Sequence, residues 1–253
     1  MIDNGYLFSK DDKRIFINTS LGCQGDCAYC YLPKLGYTKR NKYNRVSAER
    51  IIKMIDENDV LINENTLITL GCFSECWDDY NKLETLKLIK YFLEKGNQVQ
   101  LSTKKKIFIS EIEEIFPLIE YYGQLIIYVS VATISKHDSL EKNTENIDKR
   151  LETFYISKVP VVLYIKPVIQ NVTIKDLELY KEYIKYYNIK DVVVGSLFKN
   201  NISSESVPFL KENILFYNPV SDEDVIFSEL SKICNVYRRS TEVVNYYRRK
   251  KLL

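Results

Sequence analysis

The sequence predicts an α/β fold, a partial (β/α)6 barrel with a C-terminal closing segment. Three observations lead to this prediction. Between residues 14 and 198, short apolar segments alternate with longer segments whose apolar residues recur at helical spacing. The short segments are apolar almost throughout, which is typical of parallel strands covered by helices. Six such units are fewer than the eight that close a complete barrel.

The predicted strands share short length and a high content of Val, Ile and Leu. They are residues 14–20, 66–71, 98–104, 124–132, 160–168 and 191–198.

The predicted helices connect these strands, and each carries an apolar stripe. They are residues 47–58, 80–97, 110–123, 143–157 and 173–188. Gly96 and Gly123 follow the ends of two of them, and Ser110 and Thr173 are predicted N-caps.

The alternation predicts a barrel over residues 1–195 and a closing segment over residues 196–253. The closing segment breaks the strand–helix rhythm, and we expect it to cover the barrel. Substrate contact is one role open to it. The sequence contains no repeat and no clear linker between the two parts.

The composition favours a protein of the reducing cytoplasm with no membrane partner. The chain has 253 residues, of which 45% are hydrophobic and 28% are charged. It contains no run of 18 apolar residues and no apolar leader at its start. Six cysteines are present, and clustered cysteines in a reducing compartment indicate metal binding or catalysis.

Three of these cysteines, Cys23, Cys27 and Cys30, occur within eight positions directly after the first predicted strand. Thiolates are the usual ligands of iron–sulfur clusters, and three of them leave one corner of a four-iron cluster open. An open metal position is where another molecule binds. A structural zinc site is the alternative, and it needs a fourth ligand such as Cys72, Cys76 or His137.

The cysteine loop resembles the signature of the radical S-adenosylmethionine (SAM) superfamily, Cys-x3-Cys-x-aromatic-Cys, with Tyr29 as the aromatic residue. The resemblance implies a [4Fe–4S] cluster whose open iron binds SAM. Cleavage of SAM then gives a 5′-deoxyadenosyl radical that abstracts a hydrogen atom from the substrate. It also implies an electron donor such as flavodoxin or ferredoxin.

Five motifs in order resemble the spore photoproduct lyase branch of this superfamily, whose members reverse a thymine–thymine lesion in DNA. They are CAYCY at 27–31, STK at 102–104, VSVAT at 129–133, KRLE at 149–152 and IKPVIQNVT at 165–173. The hairpin with which that family enters DNA is not recognisable in residues 196–253. A peptide or a small metabolite is therefore the alternative substrate.

The resemblance implies roles for individual residues. Cys72 falls on the cysteine that returns a hydrogen atom to the substrate, and Tyr29 and Tyr31 fall on two tyrosines implicated in SAM contact and radical return. The implied SAM contacts are Tyr29, Ser74, Glu75, Lys104 and Ser130.

Other candidates are less specific. Cys76 could relay a hydrogen atom to Cys72 or simply pack, and Cys234 is predicted to be structural. His137 is predicted to be a surface residue. Residues 34–45 and 238–251 carry five and six basic residues among tyrosines, a pattern of nucleic-acid surfaces as well as of ordinary solvated faces.

Overall fold

The computed structural model describes residues 5–11, 13–35, 37, 45–58, 60, 62–200 and 215–251. The strands are β1 (Leu7–Asp11), β2 (Arg14–Ile17), β3 (Asp26–Cys27), β4 (Leu67–Leu70), β5 (Val99–Thr103), β6 (Leu125–Ser130), β7 (Glu141–Lys142), β8 (Val161–Ile165), β9 (Asp191–Val194), β10 (Leu197–Asn200), β11 (Leu215–Asn218) and β12 (Asn235–Tyr237). The α-helices are α1 (Ala48–Glu57), α2 (Lys82–Glu94), α3 (Ile109–Ile112), α4 (His137–Leu140), α5 (Ile147–Leu151), α6 (Leu177–Tyr186), α7 (Ser221–Leu230) and α8 (Ser240–Lys251). None of the helices in these ranges is both long and apolar enough to cross a bilayer.

The predicted α/β fold is confirmed by the main sheet, whose strand order is β1-β2-β4-β5-β6-β8-β9-β12. The six predicted strands are β2, β4, β5, β6, β8 and β9, and each pairs with the next in parallel. Two strands that the sequence did not reveal extend the edges. The antiparallel β1 pairs with β2, and the parallel β12 pairs with β9.

The outer face of the sheet carries the main core. Strand residues such as Ile15, Ile68 and Leu163 point to this face and pack with residues of α1, α2, α6 and α7. Burial of this apolar surface is the main stabilising contribution, since each fully buried aliphatic side chain contributes about 1.5–3 kcal/mol. Helices α1, α2, α6 and α7 therefore all cover the same face of the sheet, as in a barrel.

The opposite face, here called the inner face, is formed by the alternate strand positions. Near the amino ends of the strands, Leu67, Ile126, Val162 and Val193 pack with Val243, Val244 and Tyr247 of α8. Toward the carboxyl ends the inner face is more polar and half exposed, at Phe16, Ser102 and Tyr164. Helix α8 thus fills one end of the inner face, and the functional motifs lie at the other.

Several predicted helices are shorter than expected. Residues 110–123 form α3 and then a 3-10 helix (Glu113–Leu118) that contains Pro117, which has no N–H to continue an α-helix. Residues 143–157 form α5 and a 3-10 helix (Glu152–Tyr155), and residues 173–188 form a 3-10 helix (Thr173–Asp176) and α6.

Both predicted N-caps were wrong. Ser110 lies inside α3, where the Glu111 carboxylate accepts from the Phe108 N–H at 3.0 Å. Thr173 lies inside its 3-10 helix, and its hydroxyl donates to the Ala132 carbonyl at 2.8 Å. The folded chain places Ser110 inside α3 and Thr173 against the Ala132 carbonyl, and the local sequence pattern specifies neither position. Gly96 does follow the end of α2 in the left-handed region, with φ of 79°.

The segment after β9 contains a two-stranded antiparallel sheet of β10 and β11, joined by residues outside the described ranges. The sequence of residues 196–253 did not reveal this pair of strands. The predicted strand 191–198 is correspondingly divided between β9 and β10.

The structure describes the two basic stretches, residues 34–45 and 238–251, to different extents. Residues 38–44 of the first stretch lie outside the described residues. In the second, Arg238 pairs with Asp224 at 2.6 Å, Arg248 donates to the Gln98 side chain at 3.1 Å, and Tyr247 donates to Asp191 at 2.6 Å. Arg248 and Tyr247 therefore hold the closing segment against the barrel, whereas the Arg238 pair lies within the closing segment. A nucleic-acid role for the stretches stays a prediction.

Candidate active site

The cysteine loop leaves β2 at the carboxyl edge of the sheet and is held there by its backbone. Strand β3 pairs Cys27 with Glu141 of β7. The Gly22 N–H donates to the Phe73 carbonyl at 2.9 Å, and the Ala28 N–H donates to the Leu140 carbonyl at 2.9 Å. Two separate segments thus fix the loop in place.

The three thiols differ from an ordinary single-ion metal site. Within the described part of the chain, no three His, Cys, Asp or Glu side chains converge on a position for one metal ion. An iron–sulfur cluster has no such requirement, because each cysteine binds a different iron.

The loop backbone lies close to the thiols. The Gly25 N–H donates to the Cys23 sulfur at 3.2 Å, and a Cβ on Gly25 would lie 3.3 Å from that sulfur. Burial, followed by the Glu75 charge, raises the pKa of Cys23 to about 12, and burial raises the pKa of Cys27 to about 11. At neutral pH the Cys23 and Cys27 thiols are therefore protonated, and binding of a metal releases their protons.

Glu75 and Ser74 follow β4 and face the end of β5. The Glu75 carboxylate accepts from the Thr103 hydroxyl at 2.5 Å, the Lys104 N–H at 2.8 Å and the Trp77 N–H at 3.1 Å. These bonds fix the carboxylate and leave it capacity for one further donor. The Ser74 hydroxyl oxygen is buried without a hydrogen-bond partner among the described residues.

Lys104 and Ser130, from two neighbouring strands, lie together. The Lys104 ammonium donates to the Ser130 hydroxyl at 2.7 Å and to Glu141 at 2.9 Å. It also lies 5.5 Å from the centroid of the Tyr29 ring. The structure therefore brings three of the predicted SAM contacts into one group.

Sequence reasoning missed Glu141 and Arg150, which form the buried base of this group. Both side chains are fully buried, and Arg150 donates to Glu141 at 2.6 Å and to the Ser130 carbonyl at 2.9 Å. The Tyr29 hydroxyl also donates to Glu141. Burial alone would raise the pKa of Glu141, but Lys104 and Arg150 hold it at about 2. The KRLE motif was the available signal for Arg150.

Cys72 and Tyr31 lie together on the other side of the cysteine loop. The Tyr31 hydroxyl donates to the Cys72 carbonyl at 2.5 Å. The side-chain amide of Asn18 donates to the Cys72 sulfur at 3.6 Å and to the Gly5 carbonyl, and its oxygen accepts from the Phe73 N–H at 2.7 Å. Asn18 was not predicted, although it directly follows β2. Burial raises the pKa of Cys72 to about 12.

The remaining candidates have structural environments. Cys76 is buried in the main core, where its sulfur lies 3.6 Å from the Ser102 carbonyl. Cys234 is half buried and contacts the Leu230 carbonyl at 3.4 Å. The surface prediction for His137 was wrong. Its side chain is 12% exposed, and its Nε2 contacts Thr144 at 3.1 Å and Arg150 at 2.8 Å.

Comparison with known proteins decides the family. The family model of the radical SAM superfamily matches residues 17–184, which include the cysteine loop, Cys72 and Lys104. The chain belongs to the radical SAM superfamily. It is therefore a radical SAM enzyme, a family that uses SAM and an iron–sulfur cluster. No curated protein matches it by sequence.

Solved structures with the same fold include spore photoproduct lyase. A cysteine-to-serine mutant of that enzyme has a TM-score of 0.63 at 15% identity, with 91% of this chain and 78% of that chain covered. Another mutant, with bound SAM and a dinucleoside spore photoproduct, has a TM-score of 0.60 at 15% identity and covers 89% and 76%.

SuiB of Streptococcus suis bound to SAM has a TM-score of 0.57 at 12% identity, covering 90% of this chain and 50% of that one. The chain thus spans half the length of SuiB. At 12–15% identity, these comparisons show that the structures share the fold of this radical SAM enzyme.

The residues present fit the groups that the superfamily uses. Cys23, Cys27 and Cys30 can supply three thiolate ligands from one loop. Gly25 lies in the same loop, close to the Cys23 sulfur. The buried Ser74 hydroxyl offers a polar atom without a partner among the described residues, next to the fixed Glu75 carboxylate. Lys104 offers a positive charge for a carboxylate.

Proposed function

We propose that this protein is a spore photoproduct lyase-like enzyme that repairs a thymine lesion in DNA and uses Cys72 as its hydrogen-atom donor. When bound, a [4Fe–4S] cluster and SAM together supply a 5′-deoxyadenosyl radical that abstracts a hydrogen atom from the substrate. The chain's own residues hold these groups, bind the substrate and return a hydrogen atom.

Cys23, Cys27 and Cys30 hold the cluster, and Lys104, Ser130, Glu75, Ser74 and Tyr29 orient SAM. The Lys104 ammonium suits the SAM carboxylate, and Glu75 and Ser74 suit its amino group, since charge-assisted hydrogen bonds are the stronger ones. Glu141 and Arg150 position Lys104 and Tyr29 through the buried contacts described above.

The observation that carries the proposal is the setting of Cys72. It lies in contact with Asn18 and Tyr31, and it is not one of the cluster cysteines. Its raised pKa keeps the S–H bond intact at neutral pH. In the step proposed, the S–H bond breaks homolytically, a C–H bond forms on the substrate radical, and Cys72 is left as a thiyl radical.

The hairpin of β10 and β11 supports the DNA substrate, because the spore photoproduct lyase family uses a hairpin near the C-terminus to enter DNA. The shared fold and the five motifs support it as well.

The test uses the anaerobically reconstituted protein with SAM, a reductant and a dinucleotide spore photoproduct. The wild-type protein is expected to form 5′-deoxyadenosine and to repair the lesion. Cys72→Ala is expected to continue to cleave SAM but to accumulate adducts and side products of the unquenched substrate radical. Cys234→Ala, which removes a thiol far from the motifs, is the matched control and should match the wild type.

Two results would contradict the proposal. Normal repair without side products by Cys72→Ala would show that Cys72 only packs. Formation of 5′-deoxyadenosine without repair by the wild type would move the substrate to the alternative class, a peptide or a small metabolite.

A further inference from the structure

His137, the one histidine of the chain, lies beside the buried ion pair of Arg150 and Glu141. It is the first residue of the short helix α4, which leads directly into Glu141 of β7. Its side chain is only 12% exposed. The roles proposed above do not use it, although its contacts lead through Arg150 to the predicted SAM contacts.

The five N–H groups of the Arg150 guanidinium all have acceptors. They are the Glu145 carbonyl at 2.6 Å from Nε, the Ser130 carbonyl at 2.9 Å and the Glu141 carboxylate at 2.6 Å from Nη1, and the Thr144 hydroxyl at 2.5 Å and the His137 Nε2 at 2.8 Å from Nη2. A guanidinium group has five donors in a fixed planar arrangement. His137 therefore supplies one of five acceptors to a charged group that is fully buried.

The neighbours of the two imidazole nitrogens select one protonation form of His137. Nε2 faces Nη2 of Arg150, which can only donate, so Nε2 accepts. Nδ1 lies 2.9 Å from a carboxylate oxygen of Asp138, and an ionised carboxylate only accepts, so Nδ1 donates. A proton on Nε2 could reach Thr144 at 3.1 Å or the Glu145 carbonyl at 3.2 Å only while facing the guanidinium N–H. The geometry therefore fits the neutral imidazole with its proton on Nδ1.

Arg150 and Lys104 share the same two partners. The Glu141 carboxylate accepts from Arg150 with one oxygen at 2.6 Å and from Lys104 with the other at 2.9 Å. Ser130 accepts from Arg150 with its carbonyl at 2.9 Å and from Lys104 with its hydroxyl at 2.7 Å. The position of the guanidinium therefore determines where both hydrogen-bond partners of the Lys104 ammonium lie.

We propose that His137 is a positioning residue for SAM binding. As a neutral acceptor it fixes the Arg150 guanidinium, which through Glu141 and Ser130 directs the Lys104 ammonium at the SAM carboxylate. Without that acceptor a buried charged donor is unpaired, which is costly, and the guanidinium turns toward another acceptor. This inference rests on the proposed function, because it depends on the proposed contact between Lys104 and SAM.

The first test measures the SAM affinity of the reconstituted protein by equilibrium dialysis. His137→Leu has no acceptor and is expected to raise the SAM dissociation constant about fivefold, within the range of coupling between sites. His137→Gln keeps an acceptor oxygen and should restore most of the affinity. The matched control is Ser139→Ala, at an exposed position of the same helix, and it should bind SAM like the wild type.

A double-variant cycle shows whether His137 acts through Lys104. In the Lys104→Ala background, His137→Leu should change the SAM dissociation constant by less than about twofold, because the ammonium that it positions is absent. The same fivefold loss in both backgrounds would overturn the inference. Unchanged SAM affinity in His137→Leu, while Lys104→Ala weakens binding, would overturn it and retain the Lys104 contact. Unchanged affinity in Lys104→Ala would reject both.

The second test needs neither a cofactor nor a variant. Because the chain has a single histidine, the ¹⁵N NMR spectrum of the tag-free, histidine-labelled protein reports one imidazole. The expected signals at neutral pH are a protonated Nδ1 and an unprotonated Nε2, which is the form that accepts from Arg150. Signals of an imidazole protonated on Nε2, or on both nitrogens, would overturn the inference even if His137→Leu folds too poorly for dialysis.

Discussion

Replacing Arg150 by Met should strongly destabilise the protein, because it leaves a buried carboxylate with one cationic partner, Lys104, instead of two. Arg150 and Glu141 are both fully buried, and their oxygen and nitrogen atoms lie 2.6 Å apart. Arg150 also donates to the Ser130 carbonyl at 2.9 Å and the Glu145 carbonyl at 2.6 Å, which would lose this donor. Breaking a buried ion pair from one side costs about 3–5 kcal/mol.

The assay is equilibrium unfolding in urea, with Arg50→Met as the control. Arg50 pairs with Glu57 at 2.9 Å, but the two side chains are 53% and 43% exposed. Because exposed pairs contribute about 0–1 kcal/mol, this control should change the free energy of unfolding by less than that.

The double variant Arg150→Met with Glu141→Gln distinguishes lost charge pairing from lost packing. It removes the Glu141 charge, which Lys104 alone would pair with in Arg150→Met, so a free energy of unfolding that differs from that of Arg150→Met by about 1 kcal/mol or more would report charge pairing, and an equal value would report packing. An Arg150→Met variant within about 1 kcal/mol of the wild type would refute the reasoning, since that is the range of an exposed pair.

The remaining predictions concern the cofactor site and its support. Cys27→Ala should lose iron and form no 5′-deoxyadenosine while its far-UV circular dichroism stays native, and undiminished 5′-deoxyadenosine would contradict the cluster assignment. Lys104→Ala should weaken SAM binding by about ten- to a hundredfold, as measured by equilibrium dialysis, because one charge-assisted contact is lost. Lys90→Ala, at an exposed pair with Glu114, should leave the SAM dissociation constant unchanged. Gly71→Ala should lower the free energy of unfolding by about 1–3 kcal/mol, because Gly71 has φ of 75° and a Cβ there would lie 2.5 Å from the Cys76 Cβ. A melting temperature equal to that of the wild type would show that this segment adapts without strain.

Much of the fold could be predicted because it depends on local pattern. The six parallel strands are apolar runs, and the longer connecting helices carry apolar stripes of the right period. The missed edge strands β1 and β12 pair with one neighbour each, so they have no such run. The hairpin of β10 and β11 was missed for the same reason, since its strands form a separate two-stranded sheet.

Part of the candidate site could also be predicted from the sequence. The spacing of Cys23, Cys27 and Cys30 is a property of the chain. It indicated an iron–sulfur cluster with one open corner, and its resemblance to the radical SAM signature implied SAM. The positions of Cys72 and Lys104 after strands could also be predicted, because parallel strands end at the same edge of a sheet. The order of the strands along the chain is sufficient to bring these residues to the same edge of the sheet.

Only the tertiary structure decided which side chains support them. Glu141 and Arg150 are nine positions apart, and the local charge pattern does not distinguish them from ordinary surface charges. In the structure both side chains are fully buried and form an ion pair with each other. His137 was predicted to be exposed and contacts Arg150 instead. Sequence patterns record which face of its own element a residue occupies, but the energy of a buried charge depends on which distant groups the folded chain places against it.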